Sequence, residues 1–425
     1  MLFIRKQMKR SFLVAMLVIY AYLPNSHAKT PGKISFQPAT SGLSSLIQQF
    51  LPSHPRLIAA QAELDAAVER YNASTYAIYN PELELDAEET TIRTSTVGLS
   101  QTIDWGDQQG ANTQIAKFQL DAAKANFKQE RQKLISDLLI IAGDYKNKIR
   151  LAALSNQRLK LMKDFYALAK QKYSAGDLNQ VELDLAQLAY SESIFKNAQV
   201  LAEYTQTEQT FYAMFGAIAE KQLPEIPADF QKVSLPAELE SFLMALPQVQ
   251  KTRAIVAANK NIIALRQAES SADPSIAIRG GKEDKESLVG VTLTIPINIR
   301  NNFTAEIKAA QQDYLQSEQL AQQAWKNLRR DIISQTRHYE LTRNAWQQWR
   351  LSGQASIQRQ LNLLKRLWRT GDLSTTDYLV QIKQNLDTQS AGIELHTTLW
   401  ASWLMWLDST AQIETWLQLN STRNQ

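Results

Sequence analysis

Apolar and polar residues alternate with a period of two in two pairs of short segments, near residues 82–105 and 275–297. In the first segment of the first pair, leucines alternate with acidic residues. In the second pair, Val289 and Val291 alternate with glycine and threonine. This period gives a strand one apolar and one polar face. We therefore expect two β-hairpins whose strands are long enough to cross a bilayer when tilted. A soluble, half-buried sheet has the same alternation, so the strand pattern alone leaves that alternative open.

A helical pattern of unusual length follows each hairpin. Residues 107–172 contain no proline, and Gly143 is the one glycine beyond the first turn, where Gly110 lies. Apolar residues recur in heptads from Leu134 onward. This spacing predicts a helix that packs along its length as in a coiled coil, roughly 100 Å long at a rise of ~1.5 Å per residue. The corresponding helix of the second half, 301–367, is interrupted at Gly353.

The path back along this rod is divided between shorter helical segments. Residues 179–216 and 247–272 together match the length of the outgoing helix, and the proline-rich segment 217–245 separates them. We expect the two helices to stack end to end, with the proline-rich segment bulging out at mid-rod. Residues 374–419 and 41–79 are expected to complete the second return path and to bring both ends of the mature chain to mid-rod.

The order of these elements is repeated once along the chain. The pair Asn80-Pro81 recurs as Asp273-Pro274, and the turn sequence Gly-Asp-Leu occurs at residues 176–178 and again at residues 371–373. The expected repeats are residues 29–245, with a tip turn at 173–178 and a mid-rod proline-rich segment at 217–245, and residues 246–425, with a tip turn at 368–373.

The predicted fold class is mainly α with a small β part: a long antiparallel coiled coil, four transmembrane β-strands per chain, and internal duplication. Four strands leave two open sheet edges, which a membrane does not tolerate. Other copies of the chain must therefore complete the sheet. Two copies give eight strands and a filled interior, whereas three give a 12-stranded barrel with room for a lumen.

The first 28 residues have the pattern of a secretory signal peptide. Four basic residues precede an apolar stretch that is short for a transmembrane helix, and Ser26-His27-Ala28 provides a cleavage site. An uncleaved anchor is the alternative. The whole sequence has 46 Lys and Arg residues and 42 Asp and Glu residues. Removal of the four basic residues of the leader makes the two numbers equal, so the mature chain has no net charge. Nucleic-acid binding then loses its electrostatic support.

The sequence contains no recognisable catalytic constellation. The chain lacks cysteine, and no nucleophile motif or phosphate-binding loop occurs. His54, His338 and His396 are scattered, which favours structural roles over metal binding. Trp400 and its neighbours at intervals of three are expected to pack against another helix. We expect no enzyme activity, no cofactor and no metal site.

The paired hairpins, the run Gly98–Asp104 and above all the two Gly-Asp-Leu turns resemble the TolC family of outer-membrane efflux proteins. The resemblance covers about residues 41–416. Asn80-Pro81-Glu82-Leu83, followed by Glu88, is similar to the CzcC-like heavy-metal branch. The resemblance implies a trimer in the bacterial outer membrane, with a helical tunnel in the periplasm. It also implies two partners, a periplasmic adaptor (membrane fusion protein) and an inner-membrane pump, the latter of the RND type.

In that family the two turns are periplasmic tips where the adaptor docks. The corresponding docking residues here are Gly176, Leu178, Leu183, Gly371, Leu373 and Tyr378. Glu182 and Asp377 take the positions of acidic gate residues, although Val380 replaces a second aspartate that the family often has. Ordinary capped helix–helix turns with solvated charges are the alternative.

The acidic face of the first strand predicts a cation-selective pore. Lipid disfavours the carboxylates of this face, so they are expected to line the lumen or to lie just outside the membrane. Arg93, Arg279 and Lys282 are expected to oppose this selectivity. The acidic residues are Glu82, Glu84, Asp86 and Glu88.

The most consistent functional hypothesis is the outer-membrane channel of a tripartite efflux system, with metal cations as one substrate class. Drug efflux and type I protein secretion fit the same duct. A periplasmic coiled-coil adaptor is the alternative from a different class. An adaptor, however, has one hairpin flanked by extensive β-domains, whereas this chain has two helical hairpins and four strands.

Overall fold

The computed structural model describes residues 37–216 and 223–419. The expected signal peptide, residues 1–28, lies outside the described residues. The helices are α1 (Ser41–Phe50), α2 (Pro55–Ser74), α3 (Gln108–Ser174), α4 (Gln180–Phe215), α5 (Leu239–Ala245), α6 (Pro247–Glu269), α7 (Thr304–Ser352), α8 (Gln354–Thr370), α9 (Thr375–Ser409) and α10 (Ile413–Trp416). The strands are β1 (Glu82–Glu89), β2 (Arg93–Thr102), β3 (Ser275–Glu283) and β4 (Glu286–Thr294).

The four strands form one antiparallel sheet in the order β1-β2-β3-β4. The two hairpins come from separate halves of the chain and meet where β2 pairs with β3. Both hairpins predicted from the period-two pattern are thus present, and they share a single sheet. Its two edges, β1 and β4, have no strand partner among the described residues.

The central element is α3, a helix of 67 residues. Near the sheet it packs against α2 and α6, where Asn126 bonds to Glu63 and Lys251. Farther from the sheet it packs against α4 and α9. Helices α4 and α6 therefore follow α3 one after the other, as their lengths predict. None of the described helices combines the length and the apolarity needed to cross a lipid bilayer.

The main hydrophobic core lies at the middle of the rod. Leu139 of α3, Ile47 of α1 and Trp400 of α9 are all almost completely buried there. The first and last described segments also meet at this level, because the Ala39 N–H donates to the Trp416 carbonyl at 2.9 Å. This agrees with the expectation that the two ends of the mature chain lie near mid-rod.

The described part of the proline-rich segment packs against the rod at the level of the main core. This part, from residue 223 onward, lies against the helices and buries Phe230. The Trp346 Nε1–H donates to the Ala228 carbonyl at 2.9 Å, and the Arg343 Nε–H donates to the Phe230 carbonyl at 2.7 Å. Side chains of α7 thus satisfy the backbone groups that an irregular segment leaves unpaired, which allows it to be buried.

The tryptophans of α9 are packing residues, as predicted. Trp400 is buried, and its Nε1–H donates to the Leu139 carbonyl at 2.8 Å. Trp406 donates to the Thr336 hydroxyl at 3.1 Å. His396 is also structural: it is buried, stacks on Trp346 at 4.6 Å between ring centroids, and lies 3.1 Å from the Pro227 carbonyl. Burial lowers the pKa of His396, which favours its neutral form.

Candidate functional site

The sheet has one acidic and one apolar face. Along β1, Glu84 lies opposite Gly98, and the other three acidic residues predicted to line the pore pair with small polar residues of β2. Directly paired residues share a face of the sheet, so the register places all four carboxylates on one side. They are Glu82, Glu84, Asp86 and Glu88.

The opposite face is apolar and exposed. Leu85 of β1 is 71% exposed and Val289 of β4 is 80% exposed. The other large apolar side chains on this face are exposed as well: Leu83, Val97, Leu99, Ile276, Ile278, Val291 and Leu293. An apolar patch that spans a whole sheet indicates contact with lipid or with another protein.

The register separates the three basic residues that are expected to oppose the acidic face. Arg279 pairs with Gly98 and Gly290, so it lies on the acidic face. Arg93 and Lys282 lie on the apolar face, close to the hairpin ends. The expectation that all three oppose the carboxylates of the pore is therefore wrong for Arg93 and Lys282. Strand parity decides this, because adjacent residues of a strand point to opposite faces.

Each Gly-Asp-Leu turn ends a helix with a left-handed glycine. Gly176 has φ of 84° and Gly371 has φ of 87°. In both turns the aspartate that follows donates its N–H to a carbonyl of the last helical turn, at 2.9 Å from Asp177 to Lys172 and at 2.9 Å from Asp372 to Leu367. This pattern is a glycine-dependent helix C-cap.

The two turns lie together at one end of the rod. Phe165 of α3 contacts both Trp368 and Tyr378, with ring centroids 4.5 and 5.2 Å apart. The Lys172 ammonium group lies 5.4 Å from the centroid of the Trp368 ring and 3.4 Å from its carbonyl oxygen. The tips of the two repeats therefore share one hydrophobic cluster.

The predicted docking residues differ in how far they are exposed. Tyr378 is 2% exposed and stacks on Trp368, so in this conformation it supports the tip from inside and cannot contact a partner. Leu178, Leu183 and Leu373 are half-buried against the same cluster. Of the six predicted docking residues, only Gly176 and Gly371 are exposed.

The three most exposed large apolar residues near the tips lie on α4. Val181, Leu188 and Phe195 are 67%, 66% and 74% exposed. Their spacing of seven residues places them on one side of the helix. We call these three residues the α4 stripe. None of the three is among the docking residues predicted from the sequence, although their heptad spacing is present there beyond the turn.

Both predicted gate residues participate in helix capping. The Asn179 side chain accepts from the Glu182 N–H at 3.0 Å, and the Glu182 carboxylate accepts from the Asn179 N–H at 3.1 Å. The Asp377 carboxylate accepts from the Ser374 hydroxyl at 2.7 Å. Carboxylates stabilise a helix N-terminus, so each residue has a structural role whether or not it also narrows a channel.

Ion pairs join the helices above the tips. Arg158 of α3 binds Asp387 of α9 at 2.7 Å, and Lys383 of α9 binds Glu192 of α4. The hydrogen bond from Lys383 keeps the pKa of Glu192 below its ordinary value. No group of three or more His, Cys, Asp or Glu side chains in the described part of the chain is arranged to hold a metal ion.

Comparison with known proteins agrees with this geometry. The family model described as "Outer membrane efflux protein" matches residues 46–217. That segment, which includes β1, β2, the first tip and α4, is similar to the outer membrane efflux protein family. The sequence-based resemblance to the TolC family is thereby confirmed. No curated protein matches the sequence of this chain.

Solved channels have the same fold over nearly the whole chain. The CmeC outer membrane channel of Campylobacter jejuni is 13% identical, with a TM-score of 0.73 over 92% of this chain and 93% of that one. The MtrE outer membrane channel of Neisseria gonorrhoeae, in its open state, is 14% identical, with a TM-score of 0.72 over 92% and 97%. The outer membrane protein VceC of Vibrio cholerae is 13% identical, with a TM-score of 0.69 over 88% and 99%.

The family match and the common fold support an outer-membrane efflux channel. The matching family and the similar structures are described as efflux proteins and channels, which are transport proteins and not enzymes. The fold class predicted from the sequence, mainly α with one small antiparallel sheet, is confirmed.

Proposed function

We propose that three copies of this chain form an outer-membrane efflux channel with a helical part in the periplasm. The carrying observation is the four-stranded sheet, which combines an exposed apolar face, an acidic face and two unpaired edges. In a closed barrel the apolar face contacts lipid and the acidic face lines the lumen. Closure also removes the edges, which lipid cannot satisfy.

The direction of the strands supports closure by identical copies. β1 and β4 are antiparallel to each other because the sheet alternates through four strands. The β4 edge of one copy can therefore pair with the β1 edge of the next in the same antiparallel mode. Three copies give 12 strands, which leave a central channel, whereas eight strands are filled by side chains.

Native mass measurement of the detergent-solubilised protein tests this assembly. We expect a trimer that remains in the outer-membrane fraction after salt washing. A monomer or dimer as the main membrane form contradicts the shared barrel. Release of the protein by salt favours a periplasmic adaptor instead.

The tips supply the surface for a periplasmic adaptor and, through it, for an RND-type pump of the inner membrane. Support comes from the joint cluster of both turns and from the α4 stripe, which presents apolar side chains to a helix of another chain. In this proposal Glu182 and Asp377 also line the narrow end of the duct.

Metal cations are the proposed substrate class. By the register, six strand carboxylates per chain lie on the lumen face, and Arg279 is the one basic residue of the described strands that opposes them. The six are the four of β1 together with Glu283 and Glu286. Repeated around the barrel, this face raises the local concentration of cations. The CzcC-like sequence around Asn80-Pro81 points in the same direction.

A further inference from the structure

The two residues that pair directly with Arg279 in the sheet are glycines, which have no side chain. The register aligns Glu84, Gly98, Arg279 and Gly290 across β1 to β4 on the acidic face. Arg279 is thus flanked by glycine on both sides. A side chain at either position would touch it, since a Cβ at Gly98 would lie 3.1 Å from the Arg279 Cβ.

The arginine side chain leans toward the β4 edge. A Cβ at Gly290 would lie 3.2 Å from the Arg279 Nε and 3.5 Å from its Cγ. The arm therefore crosses β4 at the position where β4 has no side chain. The carboxylate of its own chain in this row, Glu84, lies on the other side of Gly98. None of the ion pairs among the described residues includes Arg279.

Beyond the β4 edge, the trimer would place the acidic face of another β1. This step rests on the proposed function. Neighbouring strands are ~4.8 Å apart, so the next β1 is about 10 Å from β3. An extended arginine and a glutamate or aspartate together span that separation when the residue between them is glycine.

We propose that Arg279 forms an ion pair, across Gly290, with a β1 carboxylate of the adjacent copy on the lumen face. The site is incomplete in one chain, because the partner chain supplies the acid. Three such pairs occur per trimer, at the seams between the copies.

The pair has a specific task in assembly. Alternation of faces forbids a slip of the β4–β1 register by one residue, because every side chain would change face. A slip by two residues leaves every side chain on its original face, so the alternation of faces does not exclude it. One arginine opposite a ladder of four carboxylates distinguishes these registers, because only one register gives the best-placed partner and the least unpaired charge.

Charge reversal tests the pair. We expect Arg279→Glu to weaken the trimer about tenfold in dissociation constant, because like charges then meet at each seam. One of four second substitutions should restore it: Glu82→Arg, Glu84→Arg, Asp86→Arg or Glu88→Arg. Arg93→Glu is the matched control, since Arg93 lies on the apolar face, and it should leave this seam unaffected.

A second variant tests the ion pair by steric hindrance, and it is needed if the Arg279→Glu protein fails to fold. Gly290→Val places a side chain in the path of Arg279 and should also weaken the trimer. Gly280→Val is its control, because Gly280 lies on the other face with only a Leu288 carbonyl oxygen near, at 3.9 Å.

Cross-linking separates a pair between copies from one within a chain. The sequence has no cysteine, so Arg279→Cys combined with a cysteine at one β1 carboxylate gives an unambiguous product. A bismaleimide linker should produce covalent dimers and trimers.

Three results overturn the inference while leaving the channel intact: a trimer that tolerates Arg279→Glu, a weakened trimer that none of the four substitutions restores, or cross-linking only within single chains. A wild-type protein that is not trimeric overturns the proposed function itself, and the inference with it.

Discussion

Single glycines determine how closely the helices of the rod approach one another. A Cβ at Gly143 of α3 would lie 2.2 Å from the Nε1 of Trp400, which bonds to the backbone of the same helix. Gly392 of α9 gives similar space to Trp349. The sequence singles out Gly143 only as the one glycine of a long helix beyond its first turn. Glycine is required at this position because the ring of Trp400, more than 250 positions away in the chain, occupies the space of a side chain.

Asp408 is a buried acid that makes stability depend on pH. It lies near the end of α9, and burial raises its pKa to about 6. Lys133 opposes this shift, whereas Asp137 and Glu130 add to it. Because the folded pKa exceeds the unfolded value near 3.8, the protonated group contributes stability that is complete below pH ~4 and lost as the pH rises through ~6.

We therefore predict that Asp408→Asn stabilises the protein at pH 8, by at most about 3 kcal/mol, and has little effect at pH 4. Thermal melting of both proteins across this range measures the difference. Wild type and variant with parallel pH profiles would show that Asp408 is not the group responsible.

At the scale of elements, the α4 stripe and the tip cluster have different tasks. Leu178, Leu373 and Tyr378 contribute to the hydrophobic cluster that holds the two turns together. Val181 and Leu188 remain exposed along the first turns of α4. A charge at a cluster position would therefore disturb the tip itself, so a test of docking belongs on the stripe.

We predict that Leu188→Asp abolishes export and adaptor cross-linking while the trimer stays intact, because a charge in an apolar helix contact costs several kcal/mol. Gln187→Asp is the matched control: it adds the same charge at an exposed neighbouring position outside the stripe. Dissociation of the trimer by Leu188→Asp would assign the stripe to the seam between copies. Normal export would remove it from the docking surface.

At the scale of the whole molecule, charge is distributed unevenly between the faces of the sheet. The register leaves Arg279 as the one basic residue on the acidic face of the described strands, and it moves Arg93 and Lys282 to the other side. The lumen of the proposed barrel is therefore more acidic than the sequence suggests when all three basic residues are counted against the carboxylates.

We predict that the trimer in a planar bilayer is cation-selective, and that Glu84→Gln lowers this preference. The reversal potential under a salt gradient measures it. Anion preference in the wild type would contradict the lumen assignment of the acidic face. The same measurement on Asp377→Asn tests the gate, because an unchanged reversal potential would leave Asp377 with its capping role alone.

The sequence alone determined the elements and their order. Period-two alternation located both hairpins, heptads and the absence of proline located α3, and the Gly-Asp-Leu turns located both tips. These features depend on residues that are neighbours in the chain, since strand pleating, helical periodicity and C-capping are local. For that reason they can be predicted from the sequence without knowledge of the tertiary structure.

Only the tertiary structure decided which side chains are covered and which share a face. It buried Tyr378, packed the segment from residue 223 against α7, and placed Arg279 between two glycines on the acidic face. Each of these outcomes is set by contacts between residues far apart in sequence. Burial and strand register arise from such contacts, and no local periodicity encodes them.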